Sequence, residues 1–263
     1  MRLLSDEETV VQLLRLMKEN GRKATGAELS CLVDALDSME RQYSSVLAEL
    51  QEIRKRLEQT QIPEQASMKD QVLDTLQGVR EKLEQAHSQL AAIKDKIISW
   101  AKNTLEDVKR LGITALDTAI STLGVQTMLE SMGDKTSDSM RGIQASIGKV
   151  EIIREELRSA GAHLKNAGYT AIGKQPQQVA VSPVGRFESA VLSPMYAVDS
   201  VLADLNCIIW SAEDAADDLH EAAEQCRGKH EKSSVCQQLE QKKAKTTAIS
   251  TPKPGKKSKE AER

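Results

Sequence analysis

Two stretches of the chain carry the longest regular apolar pattern: LSCLVDALDSMERQYSSVLAELQEIRKRL at residues 29–57 and VLDTLQGVREKLEQAHSQLAAIKDKIISW at residues 72–100. Each carries apolar residues in two interleaved series with seven-residue spacing, which is the pattern of a helix packed along a seam. These residues are Leu29, Leu32, Leu36, Met39, Tyr43, Val46, Leu50, Ile53 and Leu57 in the first stretch, and Val72, Leu76, Val79, Leu83, Ala86, Leu90, Ile93, Ile97 and Trp100 in the second. The pattern predicts two long helices.

The two seams are mirror images of each other about a point between Glu64 and Gln65, beside Pro63. When Leu57 is paired with Val72, every further pair keeps the same total of residue numbers, 129, down to Leu29 with Trp100. Proline disfavours helical geometry in the residue before it, so the first helix is expected to end near Ile62. The sequence therefore predicts an antiparallel helical hairpin that, with its extension, occupies residues 22–133.

The remaining segments predict further helices. Ser5 and Glu8 form a capping box at the start of a short helix within residues 1–21. A turn at Gly133–Ser137 is expected to precede a helix at 134–168, and a linker rich in Gly, Pro and Gln follows at 169–185. The last long helix is predicted at 186–228, and the Lys-, Ser-, Thr- and Pro-rich residues 229–263 are expected to form a disordered basic tail.

The predicted fold class is all-α: an elongated antiparallel helical hairpin or coiled coil, completed by additional long helices and followed by a disordered C-terminal tail. Val33, Leu47 and Leu73 widen the apolar stripe of the hairpin on one side. Two helices alone would leave that side in water, so the later helices are expected to cover it.

Composition and charge exclude several classes of protein. With 40% apolar, 29% charged and 2% aromatic residues in 263, the chain is unlike collagen, disulfide scaffolds and membrane-spanning proteins. The net charge of -3 divides into -9 for residues 1–228 and +6 for residues 229–263. The four cysteines form no Cys-x-x-Cys motif, and the N-terminus shows no apolar signal segment. We therefore expect a cytoplasmic protein.

Two pairs have the spacing of metal ligands on a helix: Glu84 with His87, and Asp217 with His220. Carboxylate-bridged metal bundles use such pairs pointing inward. Here the inward positions belong to the apolar residues Leu83, Ala86, Ala216 and Leu219, so both pairs are expected on a solvated helix face. Cys226, His230 and Cys236 have irregular spacing and lack a fourth zinc ligand.

No arrangement in the sequence supports nucleophilic catalysis. His163 has no catalytic neighbour, and the Gly-x-Ser-x-Gly motif is missing from the sequence. We predict no catalytic, cofactor-binding or metal-binding residue, no cofactor and no enzymatic activity.

The predicted function is that of a helical scaffold or adaptor, which binds a protein partner or a second copy of itself. One alternative is an accessory nucleic-acid-binding protein that uses the tail lysines, Lys242, Lys243, Lys245, Lys253, Lys256, Lys257 and Lys259. A second alternative is association with a membrane surface through a helix at 111–129, whose aliphatic stripe includes Leu116 and Ile120. No transmembrane segment is predicted.

Five stretches carry a resemblance to a known family: LRLMKENG (14–21), ELQEI (49–53), VKRLGITALDTAISTLGVQTMLESM (108–132), EELRSAGAHLKNAG (155–168) and GRFESAVLSPM (185–195). With them the chain resembles an uncharacterised domain-of-unknown-function family of helical proteins from conjugative-element regions of gut Firmicutes. The resemblance implies a bacterial, cytoplasmic setting linked to mobile DNA. It implies no activity and no site residue.

Overall fold

The computed structural model describes residues 3–59, 66–120, 123–171 and 191–249. It describes the backbone alone for residues 66–69, 157, 160–162, 164–165, 168, 171 and 226–249. A 3-10 turn at Leu4–Asp6 precedes the first α-helix. The α-helices are α1 (Glu8–Glu19), α2 (Lys23–Gln59), α3 (Ala66–Leu111), α4 (Thr114–Ile120), α5 (Val125–Ala171) and α6 (Ser193–Ile249). The all-α class predicted from the sequence is confirmed.

The four long helices form a bundle. Helix α2 packs against α3 and α6, and α5 packs against the same two neighbours, so the four close into a ring. Helix α1 covers α2 and α3, while α4 packs on α3 and α6. The additional helices that the wide apolar stripe predicted are therefore present, and they complete the core.

The core of the bundle is built from the two predicted seams. All of their apolar residues are buried, and the most exposed of them, Trp100, has 8% of its surface in water. The seams are shared among four helices, however, since α2 packs more extensively on α6, and α3 on α5, than α2 and α3 pack on each other. The pairing of individual residues across the hairpin stays a prediction.

The predicted continuous helix at 111–129 is wrong. Helix α3 ends at Leu111, and Gly112 follows with a φ of 84°. Helix α4 ends at Ile120, and Gly124 has a φ of 55° directly before α5 begins. Both glycines adopt the left-handed conformation that ends helices, because a residue without a Cβ enters it without steric cost.

The predicted turn at Gly133–Ser137 is also wrong, because α5 runs through it without interruption. Met132, Thr136 and Ser139 are each fully buried on one face of the helix. Packing of this face outweighs the weak helix propensity of the local sequence. The predicted helix at 134–168 thus starts at Val125 and ends at Ala171. The linker predicted at 169–185 lies outside the described residues from position 172 onward.

The last helix continues past Gly228, where the sequence analysis placed its end, to Ile249. Residues 229–249 are rich in Lys, Gln, Glu and Ala, which are strong helix formers, and one glycine costs a helix only about 1 kcal/mol. Helix α6 is therefore longer than the helix predicted at 186–228. Residues 250–263 of the predicted tail lie outside the described residues.

A buried ionic cluster fastens the N-terminal turn to the bundle. The backbone N–H groups of Leu4 and Ser5 donate to the two carboxylate oxygens of Asp37 at 2.7 and 2.9 Å. The Lys94 Nζ lies 3.0 Å from Asp37 Oδ1 and also pairs with Glu40. The predicted capping box is wrong, because the residue that precedes α1 is Glu7, whose side chain makes no capping bond, and Ser5 belongs to the 3-10 turn.

Candidate protein-interaction surface

One side of α6 faces water while the opposite side is buried in the bundle. Leu205, Ile209 and Ala212 on the inner side are fully buried. Tyr196, Ala203, Cys207, Trp210, Asp214 and Asp217 are exposed and follow one another at three-, four- and seven-residue spacing, which keeps them on one side of a helix. We call these six residues the α6 outer face.

Trp210 is the most conspicuous member of the outer face. Its surface is 61% exposed, whereas Trp100 is 8% exposed and donates its indole N–H to the Ala119 carbonyl at 2.8 Å. Tyr196, two heptads before Trp210, is 46% exposed and donates its hydroxyl to Glu151 of α5. Exposed tryptophan is uncommon on a surface that has no partner, because its large apolar ring is costly to leave in water.

The outer face lies in a stretch of one charge sign. Residues 187–226 contain no lysine and no arginine. The same stretch contains nine acidic residues, namely Glu188, Asp199, Asp204, Glu213, Asp214, Asp217, Asp218, Glu221 and Glu224. A surface of this kind attracts cationic groups at a distance and steers basic partners toward it.

Carboxylates of two neighbouring helices extend this negative region. Burial raises the pKa of Glu213, and the negative charges of Glu130, Asp214, Asp217 and Asp134 raise it further. The carboxylate of Glu213 lies close to the α5 backbone, where a Cβ built on Gly133 would be 3.5 Å from its Oε1.

On the side toward α2, burial raises the pKa of Glu28, and the charge of Asp218 adds to the effect. The region therefore spans α2, α5 and α6.

The histidine and carboxylate pairs singled out in the sequence do not meet in one site. Glu84, Asp217 and His220 are exposed, as expected for a solvated face. His87 is half-buried, and its ring centroid lies 6.1 Å from that of Tyr43. Across the side chains that the structure describes, no three His, Cys, Asp or Glu residues are placed to hold a metal ion.

The other candidate ligands add nothing to these pairs. His163 is exposed. The side chains of Cys226, His230 and Cys236 lie outside the described ones.

Leu116 and Ile120, the stripe residues of the membrane-surface alternative, lie in the bundle core. Leu116 is fully buried and Ile120 is 4% exposed, since both face the bundle core from α4. Among the described helices, none is long and apolar enough to cross a membrane.

The outer face is not among the sites predicted from the sequence. The acidic residues of α6 enter that prediction only as metal ligands, and Trp210 has no predicted role. The sequence does contain a signal for this face, because the forty residues 187–226 include one tryptophan and no lysine or arginine. Its exposure, however, depends on how α6 docks against α2 and α5, which periodicity alone does not determine.

These features define the class of the protein as an all-α helical bundle with an acidic, aromatic outer face. Its sequence matches, over residues 6–263, the sequence model described as "Family of unknown function (DUF6674)". The chain belongs to this family. No curated protein and no solved structure matches it. The resemblance to an uncharacterised family is confirmed at this level, while its setting in conjugative elements of gut Firmicutes stays a prediction.

Proposed function

We propose that this protein is a non-enzymatic helical scaffold or adaptor that binds a protein through the α6 outer face. The observation that carries the proposal is the 61% exposure of Trp210 in a bundle that otherwise buries its long aliphatic seams. Aromatic residues surrounded by a polar rim are typical of the centres of protein interfaces. The bacterial, cytoplasmic and mobile-element setting belongs to the proposal and rests on the resemblance.

The exposed surface of Trp210 is large enough to matter for binding. A tryptophan side chain buries about 150–250 Å² when it is fully covered, so 61% exposure leaves roughly 100–150 Å² to be covered by a partner. At about 25 cal/mol per Å², covering that area contributes about 3 kcal/mol. This magnitude is that of an interface hot spot.

The buried polar groups of the core support a structural role. Burial raises the pKa of Tyr43 to about 12, and its hydroxyl shares a 2.6 Å hydrogen bond with Thr136. This hydrogen bond gives each of the two buried hydroxyl groups a partner and holds the Tyr43 ring in one orientation in the core.

The test compares two substitutions of equal exposure. Trp210→Ser alters the outer face, and Leu111→Ser alters the last residue of α3, which is also 61% exposed. Each variant and the wild type are purified from host cells, and the proteins that co-purify are quantified by mass spectrometry. We expect Trp210→Ser to lose at least one partner, or self-association, that Leu111→Ser retains. If both variants keep the same associations as the wild type, the proposal is wrong.

The nucleic-acid alternative uses a different part of the chain. Removal of residues 229–263 should then abolish a salt-sensitive interaction with DNA, while Trp210→Ser should leave it intact.

A further inference from the structure

The α6 outer face and the segment that follows it have opposite charges. Residues 227–263 contain eleven lysines and arginines against four acidic residues, which is a net charge of +7. The preceding residues 187–226 contain nine acidic residues and no basic one. One chain therefore carries both members of a complementary pair, an acidic aromatic surface and a basic segment.

The basic segment cannot reach Trp210 of its own chain. Helix α6 continues to Ile249, and 39 residues of helix at about 1.5 Å each place position 249 roughly 58 Å from Trp210. Residues 250–263, even fully extended at about 3.5 Å each, span only about 49 Å. Lysines between 229 and 249 lie on the same helix and cannot fold back onto it. Contact with the outer face near Trp210 must come from another molecule.

We propose that the α6 outer face binds the basic segment 227–263 of a second copy of this chain. The inference rests on the proposed function, since it names the partner of the same surface. Two copies that lie antiparallel along α6 each offer one face and one segment, so the two contacts are equivalent and the assembly closes as a dimer.

The chemistry of the two surfaces suits this pairing. The face of an indole ring attracts lysine and arginine side chains, and Asp214 and Asp217 lie one and two turns from Trp210 on the same side of the helix. A contact of this kind is sensitive to salt, because exposed charges are screened over about 30 Å at 0.01 M salt and only about 3 Å at 1 M.

A charge-swap experiment on the full chain tests the proposal. The face variant carries Asp214→Lys and Asp217→Lys on the outer face and Asp204→Lys at an exposed position next to Ala203 of that face. The segment variant carries Lys232→Glu, Lys242→Glu and Lys243→Glu. We expect wild type to form dimers in light scattering at low salt and each variant alone to be monomeric, with its dimer dissociation constant raised at least about tenfold. An equimolar mixture of the variants should form the heterodimer, because both of its contacts are again between opposite charges.

The control variant carries the same change in charge at three exposed positions of α3, away from the outer face: Glu81→Lys, Glu84→Lys and Glu106→Lys. It should dimerise like the wild type. Recovery of the heterodimer also shows that both variants are folded. A Trp100→Phe background leaves Trp210 as the sole tryptophan, and its emission should shift to shorter wavelength as the dimer forms.

Four results would overturn the inference, and the first three concern the dimer itself. They are a wild type that is monomeric at all concentrations, a variant mixture that stays monomeric, and a dimer whose formation leaves the Trp210 emission unchanged. If the wild-type segment binds duplex DNA and the face variant dimerises normally, the inference also fails. The failure of this inference can be distinguished from the failure of the proposed function. If the mixture of variants stays monomeric but Trp210→Ser still loses another protein partner, the dimer is refuted and the proposed function is supported.

Discussion

Replacement of Lys94 by methionine is expected to lower the free energy of unfolding by about 3–5 kcal/mol. Lys94 is 6% exposed, and its Nζ lies 3.0 Å from the carboxylate of Asp37, which is 2% exposed. At an effective dielectric constant of about 20, the attraction at that distance is roughly 5 kcal/mol before the cost of desolvation. Methionine keeps most of the apolar stem of lysine, so the loss reports the missing charge rather than a cavity.

The assay is urea unfolding followed by circular dichroism, with Lys102→Met as the control, because Lys102 is an exposed lysine of the same helix. The control should change the free energy of unfolding by less than about 0.5 kcal/mol. In the double variant Lys94→Met with Asp37→Asn, the more deeply buried of the two carboxylates that pair with Lys94 is removed as well. The free energy of unfolding that the double variant loses should therefore fall short of the sum of the two single losses by about 2 kcal/mol. A Lys94→Met protein as stable as the control, with additive single and double effects, would refute the reasoning.

Three further predictions concern acid stability and glycines. Burial acts to raise the pKa of Asp37, but the N–H groups of the N-terminal turn and Lys94 outweigh burial and hold that pKa below the usual 3.8. The stability that the Asp37 carboxylate contributes is therefore present above pH 3.8 and is lost as the pH falls through the pKa of the folded state. Asp37→Asn should make the free energy of unfolding less dependent on pH in acid unfolding curves. Gly142→Ala should lower the stability of the protein in thermal unfolding, because the new Cβ would lie 2.7 Å from a methyl group of buried Val79. A Cβ at Gly148 would meet nothing within 4 Å, so Gly148→Ala should stabilise the protein by about 0.5–1 kcal/mol in the same measurement. Gly112→Ala should lower the free energy of unfolding in urea by about 1–2 kcal/mol, because Gly112 has a positive φ. Equal changes in stability for the alanine variants at 142 and 148, or no change for the variant at 112, would contradict these estimates.

Much of the fold follows from the sequence because the heptad pattern is local and long. The seam residues from Leu29 to Trp100 repeat without a fault, so their burial could be predicted from spacing alone. The ends of helices are harder to predict, since they depend on whether the helix propensity of a single residue outweighs the packing around it. Gly112 follows the end of α3 and Gly124 directly precedes α5, whereas Gly133 lies inside α5. Only the packing of α5 against its neighbours separates these cases.

The buried ionic cluster could not be predicted from the same patterns. Asp37 and Lys94 lie 57 residues apart, and a charge in a helical sequence is ordinarily solvated. Asp37 becomes buried because the 3-10 turn folds over it and supplies two N–H donors, a tertiary event that no periodicity encodes. The exposure of Trp210 is the converse case, in which an apolar residue stays outside because the inner side of α6 is already filled.

The separation between core and outer face makes binding and stability independently measurable. Lys94 lies among groups that hold the N-terminal turn, so its removal changes folding whatever the protein binds. Trp210 lies on the side of α6 opposite the buried Leu205 and Ala212, and 61% of its surface is exposed. Surface substitutions of this kind usually change stability by less than about 0.5 kcal/mol. Loss of association in Trp210→Ser with an unchanged unfolding curve would therefore assign the effect to the interface itself and not to a weakened bundle.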